Sequence, residues 1–435
     1  MSKEAQPGSA TYSGSPLPVE GLLGRIKPQI AQILSRSLEG RELTVEEGIQ
    51  LFECRGRELQ VLALVADEVR RQLVGDVITY VQVRNINFTN VCYTGCRFCE
   101  FGQRASHQDA YTLEIEEVVQ RAREAWDFGA TEICMQGGLN PQLSGYHYRD
   151  LLVAVKKELP DIHIHSFSPF EVQYCARRTG LSVEEVLIMF KEAGLGSIPG
   201  TAAEILDTEI RQRLTKNKLT AEDWATIIKT AHRVGLPSTS TIMYGHIDAP
   251  RHWSNHIALL REIQKETGGF TEFVPLGFIH DNTRLYASGE ARPGSTGAED
   301  ITMHAVSRLM LAGYINNIQV SWVKMGPKFA QQCLMSGAND FGGTLMDETI
   351  SRMAGASYGE YMPPDEFRRL IWDLDRVPAQ RATNYKILRN FDRAEDQAYL
   401  AQKPATGTTT GWARGGGKEI TAPATGAGRV LPVIN

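Results

Sequence analysis

From residue 80 to residue 344 the chain alternates about eight times between short runs rich in β-branched residues and longer stretches with apolar positions every third or fourth residue. This alternation limits the fold more than any other feature of the sequence. Strand, helix, strand makes a right-handed crossover, so the strands lie parallel and the helices cover them. The strand-like runs fall at 83–89, 132–136, 162–168, 196–199, 238–244, 271–278, 318–323 and 338–344. In the first, Asn85, Asn87 and Thr89 share one side and Ile86 and Phe88 the other. One polar face on a strand with parallel neighbours suits a barrel whose lumen is partly a binding site. The expected fold is α/β, a (β/α)8 TIM-type barrel over 79–390 that includes C-terminal helices. A doubly wound open sheet is the alternative arrangement of the same units.

The intervening segments carry helix punctuation. Over 114–128, Ile115, Val118, Val119, Ala122 and Trp126 form one stripe that stops at Gly129. Ser182-x-x-Glu185 and Thr220-x-x-Asp223 open later helices as capping patterns, and Thr44-x-x-Glu47 opens one inside a helical N-terminal extension, 21–78. That extension is expected to pack against the barrel or plug one end of it. Residues 1–20, rich in Ser, Gly and Pro, are expected to be disordered. So is most of 391–435, which is low in complexity from Pro404 onward.

Composition excludes several function classes. A net charge of −5 gives no basic footprint for nucleic acid. No run of 18 or more apolar residues spans a membrane, and the first residues lack an apolar signal core, so the expected location is cytoplasmic.

Directly after the first strand, Cys92, Cys96 and Cys99 fall at spacing C-x3-C-x2-C in one short loop. Thiolates this close can converge on one soft metal centre. Two readings stand. In one, the thiols hold a cubane iron–sulfur cluster whose fourth iron is open to a small molecule that chelates through an amino and a carboxylate group. In the other, they are a structural zinc site or simply buried. Structural zinc takes four closed ligands, and no second C-x2-C or H-x3-H pair completes one, which favours the cluster. Cys54, Cys134, Cys175 and Cys333 are scattered and read as small buried thiols.

In such a barrel the chemistry gathers at the carboxyl ends of the strands. Gly137 and Gly138 end the second strand, either as a turn or as a place of close backbone approach to a ligand. His163 and His165 share a face of the third strand, as packing or as substrate contacts, with Ser168 just beyond. Glu204, after the fourth, reads as a ligand acceptor or as half of an ion pair. Lys216 and Lys218 offset a ligand carboxylate or are surface lysines. The fifth strand, with Ser238, Thr239, Ser240 and Thr241, leads to Tyr244 and His246; its hydroxyls suit a polyhydroxyl ligand or are β-favouring residues.

The cysteine segment is similar to the radical S-adenosylmethionine (radical SAM) signature. By that resemblance the small molecule on the open iron is SAM, Phe98 packs near its adenine, and Gln136-Gly137-Gly138 presents backbone groups to its amino group. Glu204 then serves the ribose hydroxyls or the ammonium. The segments 85–99, 135–138, 198–206, 243–246, 268–273 and 342–355 together resemble one family over about 45–390. It is the tyrosine-utilising half of the deazaflavin (FO) synthase, the CofH family of 4-hydroxyphenyl transferases. Glu100, where alanine is common, is a departure beside the cluster.

The resemblance implies a 4Fe–4S cluster and SAM as cofactors, with L-tyrosine and 5-amino-6-(D-ribitylamino)uracil as substrates. The reduced cluster cleaves SAM to a 5′-deoxyadenosyl radical, which takes a hydrogen from the tyrosine amine. The Cα–Cβ bond then breaks to 2-iminoacetate and a 4-hydroxybenzyl fragment, which adds to the uracil. His165, Ser168, Tyr244 and His246 are the candidate substrate contacts. A separate ring-closing radical SAM subunit and a low-potential electron donor are the implied partners. Aminofutalosine synthase or its cyclase relative in menaquinone biosynthesis is the alternative within the same superfamily.

Overall fold

The computed structural model of the chain describes residues 19–402, so the disorder expected for 1–18 and 403–435 falls outside the described residues. Nine strands are assigned among them: β1 Val77–Val81, β2 Val83–Ile86, β3 Glu132–Met135, β4 His163–Ser166, β5 Ser238–Tyr244, β6 Phe270–Gly277, β7 Asp340–Gly343, β8 Val377–Arg381 and β9 Ile387–Asn390.

The strands close into a ring. β2 pairs with β3 and β3 with β4, both parallel. From β4 the ladder passes through Ser197 and Ile198 to β5, then to β6, to Ile318 and Gln319, and to β7. β7 pairs in parallel with β1, and Val83 at the start of β2 exchanges hydrogen bonds with the Thr344 hydroxyl. β1 and β2 are thus two halves of one barrel strand interrupted at Gln82. Eight parallel positions with no open edge make a (β/α)8 barrel, and the doubly wound alternative is set aside. The fourth and seventh positions are single bridges, and Trp322–Met325, expected to continue a strand, is a short helix.

Strand alternation divides the barrel into two layers. Ile86, Phe88, Ile133, Met135, Ile164 and Ile242 are buried between the barrel and its helices. Their neighbours face the lumen, and there the early and late positions behave differently. Late positions such as Asn85, Gln136 and Leu276 line a cavity. Early positions meet a polar plug. β8 lies parallel to β1, with β9 antiparallel beside it, and this ribbon carries Arg381, Thr383 and Tyr385 to the barrel's base. Arg381 Nη2 donates to Asp340 Oδ1 at 3.1 Å and to Glu272 Oε2 at 3.4 Å. The Tyr385 hydroxyl and Gln319 Nε2 also donate to Glu272 Oε2, at 2.5 and 2.9 Å. Thr383 donates to the buried Glu132.

The ribbon decides between the two placements expected for the N-terminal extension, which packs against the barrel and does not plug it. The base is filled from the C-terminal side. The N-terminal helices Val45–Phe52 and Arg57–Val74 pack on the outer helices Pro250–Thr267 and Gly297–Leu311. Ser254 Oγ donates to the Val45 carbonyl there, and Gly48 comes so close that a Cβ would sit 2.6 Å from Met310 Sδ. The segment beyond 391 is not wholly a tail either. Arg393–Gln402 is a helix, held because Asp396 accepts from Arg368 Nε at 2.8 Å and from the Trp372 indole at 2.9 Å. All three capping patterns form as boxes, at Thr44, Ser182 and Thr220.

Arg381→Met should lower the unfolding free energy by about 3–5 kcal/mol, because it leaves two buried carboxylates without their counter-charge. A urea titration against wild type reads the loss, and an unchanged midpoint would refute it. Burial, opposed by the Thr383 hydrogen bond and Arg381, pushes the Glu132 carboxyl up to about 7. The folded protein therefore holds that proton more tightly than the unfolded chain. Its contribution is present in full below the ordinary value of 4.5 and is lost as the pH rises through about 7. Glu132→Gln should flatten that part of the stability–pH curve.

Candidate active site

The cavity at the carboxyl ends of the barrel strands has a volume of about 400 Å³. Cys92, Cys96 and Cys99 line it from the loop after β2. Asn90 pins this loop: its Nδ2 donates to the Asp109 carbonyl at 2.8 Å and its Oδ1 accepts from Tyr111 N at 2.7 Å. Cys92 N donates to the Gln103 carbonyl, and Arg97 N to the Leu214 carbonyl. Glu100 lies outside the lining, where its carboxylate accepts from the Arg284 amide at 3.3 Å.

Two glycines let the β3 end approach the loop. A Cβ on Gly138 would sit 2.3 Å from the Val91 carbonyl oxygen and 3.0 Å from Cys92 Cβ; one on Gly137 would enter the Phe88 ring at 2.6 Å. Gly137 N donates to Glu171 Oε1 at 3.0 Å. Glu171 also closes a capping box with Ser168 at the start of the helix Pro169–Thr179. Burial pushes the Glu171 carboxyl up to about 7, against the hydrogen bonds from Ser168 and Gly137.

Opposite stands an ion pair. Lys218 Nζ donates to Glu204 Oε1 at 2.5 Å, and Arg211 Nη1 is 3.6 Å from Glu204 Oε2. The same ammonium lies 5.3 Å from the centre of the Phe98 ring and 5.8 Å from that of Phe170. Burial lowers its proton affinity, but Glu204 and Cys96 outweigh that and raise it.

The structure therefore brings Cys92, Cys96, Cys99, Phe98, Gln136, Gly137, Gly138, Ser168 and Glu204 around one space. It does not bring the other three candidates there. His165 faces the lumen but a layer too low, where its Nδ1 and the Nε2 of His163 share Ser197 Oγ at 2.7 and 2.8 Å. Burial drives its pKa down to about 3, so it is neutral packing. Tyr244 points out of the barrel and donates to Asp300 Oδ1 at 2.6 Å. His246 is buried against the Met243 carbonyl and the Ile247 amide. Of the fifth-strand hydroxyls only Thr241 reaches the cavity, and it donates to the Gly200 carbonyl. Lys216 is exposed. Sequence reasoning missed Glu171, Thr201, Lys324 and Glu348. The Ser168-x-x-Glu171 spacing could have exposed the first; the others follow only from the fold.

The donor set fits an iron–sulfur cluster and SAM. Among the described residues no three His, Cys, Asp or Glu side chains gather tightly enough for one mononuclear ion, whereas thiolates on a cluster each take a different iron and need not meet at a point. Burial pushes the Cys96 thiol up to about 11 and raises Cys99 as well, so both need a metal's charge to ionise. Thr201 lines the cavity, and its hydroxyl is buried without a partner among the described residues.

Known proteins agree with this geometry. The Radical SAM superfamily matches residues 86–260, and the CofH/MqnC C-terminal region matches 267–391. The 5-amino-6-(D-ribitylamino)uracil–L-tyrosine 4-hydroxyphenyl transferase of Methanothermobacter thermautotrophicus is 52% identical over 365 residues, 84% of this chain and 99% of that protein. The chain belongs to this transferase family. The Methanocaldococcus jannaschii transferase is 49% identical, over 80% of this chain and 98% of its own. The FO synthase of Streptomyces avermitilis is 55% identical over 83% of this chain, which spans only 42% of that longer protein. Among solved structures, the FeFe-hydrogenase maturase HydG of Carboxydothermus hydrogenoformans superposes with a TM-score of 0.64 at 15% identity, covering 84% of this chain and 83% of its own. Methylornithine synthase (PylB) gives 0.63 at 18%, covering 80% and 97%. These two likenesses bear on the fold alone. No helix among the described residues is long and apolar enough to cross a membrane.

Cys96→Ala and Gly138→Ala should both prevent the brown visible absorption that anaerobic reconstitution with iron and sulfide develops in wild type. Gly21→Ala, with nothing within 4 Å of the new carbon, should develop it in full. A fully coloured Cys96→Ala protein would overturn the ligand assignment.

Proposed function

We propose that this chain cleaves L-tyrosine between Cα and Cβ and transfers the 4-hydroxybenzyl group to 5-amino-6-(D-ribitylamino)uracil, as a step in deazaflavin synthesis. The observation that carries this is 52% identity across 99% of a transferase named for these two substrates. The names of the relatives favour it over the menaquinone-pathway alternative.

Cys92, Cys96 and Cys99 would hold the 4Fe–4S cluster, with Phe98, Gly137, Gly138, Thr201 and Glu204 around SAM. Bound together, the two cofactors supply a 5′-deoxyadenosyl radical. The chain's own residues supply position and exclusion. The plug at the base fills the lower lumen, so water has no short path to the reacting centre from below. Leu276, Phe278, Trp322 and Val323 give the cavity an apolar wall, which suits a phenol ring; the last three belong to the packed core. Asn85, Asn87, Gln136 and Ser321 set amide and hydroxyl groups along the same space, matching the donor and acceptor edges of a uracil and its ribityl chain.

A low-potential donor must reduce the cluster. The FO synthases are more than twice as long as the stretch they share with this chain, and closing the deazaflavin ring would fall to a radical SAM activity outside that shared stretch.

Incubating the reduced, reconstituted protein with SAM, L-tyrosine and the diaminouracil should consume tyrosine in step with SAM cleavage and yield the benzylated uracil. SAM cleavage that spares tyrosine would reject this reading while leaving the superfamily in place.

A further inference from the structure

Two cations line the cavity among the described residues, Lys218 and Lys324. Their surroundings differ. Lys218 is spent on Glu204, next to Cys96 and Phe98. Lys324 lies in the short helix Trp322–Met325, and its Nζ donates to Ser351 Oγ at 2.6 Å. No carboxylate among the described residues comes within ion-pair distance of it.

The nearby Glu348 is already engaged. Its Oε1 accepts from the Ser351 amide at 3.0 Å and from the Ser351 hydroxyl at 2.7 Å; its Oε2 accepts from Asn85 Nδ2 at 2.5 Å. Ser351 therefore accepts a hydrogen bond from Lys324 and donates one to Glu348. An ammonium has three donors, and only one of these is used. Burial pulls the Lys324 ammonium down, with Glu348 and Cys99 opposing. A cation kept in such a place lacks the anion that would offset its desolvation.

The surface beside it is apolar: Trp322, Val323 and Ile350 line the cavity on the same stretches of chain. A cation with open valences next to an apolar wall is complementary to an aromatic amino acid, whose carboxylate and ring lie at opposite ends. We infer that Lys324 anchors the α-carboxylate of the amino-acid substrate, with Ser351 and Glu348 fixing the direction of its ammonium. Lys324 is then a specificity-determining residue, and Lys218 serves the cofactor side. The assignment rests on tyrosine being the substrate proposed above.

Tyramine is tyrosine without its carboxylate, so the pair isolates one interaction. Both are titrated into the reconstituted, unreduced, SAM-loaded protein and its Lys324→Met and Lys324→Arg variants. Wild type should bind L-tyrosine at least about tenfold more tightly than tyramine, the scale of one charge-assisted hydrogen bond. Lys324→Met should bind the two within about twofold of each other, while Lys324→Arg keeps part of the preference. The affinity for SAM, which also reports folding, should stay within about twofold in both variants. A wild-type preference retained by Lys324→Met overturns the inference, as does a variant that loses SAM and keeps the preference. Failure of the tyrosine reading itself looks different, because wild type would then neither bind nor consume L-tyrosine.

Discussion

The barrel depends on one buried guanidinium at its base. Glu132, Glu272 and Asp340 project into the lower lumen from three different strands, and carboxylates in that position repel one another and lose their water. Arg381, itself buried, binds Asp340 through Nε and Nη2 and reaches Glu272 with the same Nη2, its guanidinium carbon 4.1 Å from the centre of the Tyr385 ring. Without that charge the lower lumen would take in water or lose its closed ring. With it, the base is a filled polar plug, and the open space of the barrel is confined to the end where the cysteine loop sits.

The plug also explains how local signals and distant ones divided in the sequence. Patterns that a few residues settle among themselves were legible: the capping boxes at Thr44, Ser182 and Thr220, the stripe on the helix Ile115–Asp127, and the polar side of β2 that places Asn85 and Asn87 in the lumen. The ribbon was not. β8 holds Pro378, which argues against a strand wherever the amide is needed in a ladder, and its partner β1 lies about three hundred residues earlier in the chain. β1 straddles the boundary expected at 78/79 between the helical extension and the barrel, because five residues after Gly75 carry too little pattern to stand apart. Pairing of that range is set by the closed ring, which no window of sequence contains.

The site shows the same division. The cysteine spacing and the Gly137–Gly138 pair are local, and both lie on the cavity the barrel forms. The histidines were chosen for their chemistry, and chemistry does not give height along a strand. His163 and His165 do face inward, as the alternation said, but they begin β4 in the layer that the plug occupies. Ser168 was reached for its hydroxyl. In the structure its work is to cap a helix and to hold Glu171, which in turn holds Gly137 N against the cluster loop.

Within the lumen, the lower and upper layers differ in how far their buried polar groups are satisfied by the protein itself. In the lower layer nearly every donor meets an acceptor: Ser197 serves both histidines, Gln319 and Tyr385 serve Glu272, and Thr79 donates to Asp340. Such a layer has nothing left for a ligand, and its burial favours the fold it stabilises. In the upper layer the Thr201 hydroxyl has no partner among the described residues, the buried thiols of Cys96 and Cys99 lack the charge that would ionise them, and Lys324 uses one donor of three there. Each of these costs stability in the empty protein and is repaid only by what enters. A strand that is satisfied at its first residues and unsatisfied at its last is the physical content of the rule that barrel chemistry belongs at the carboxyl ends.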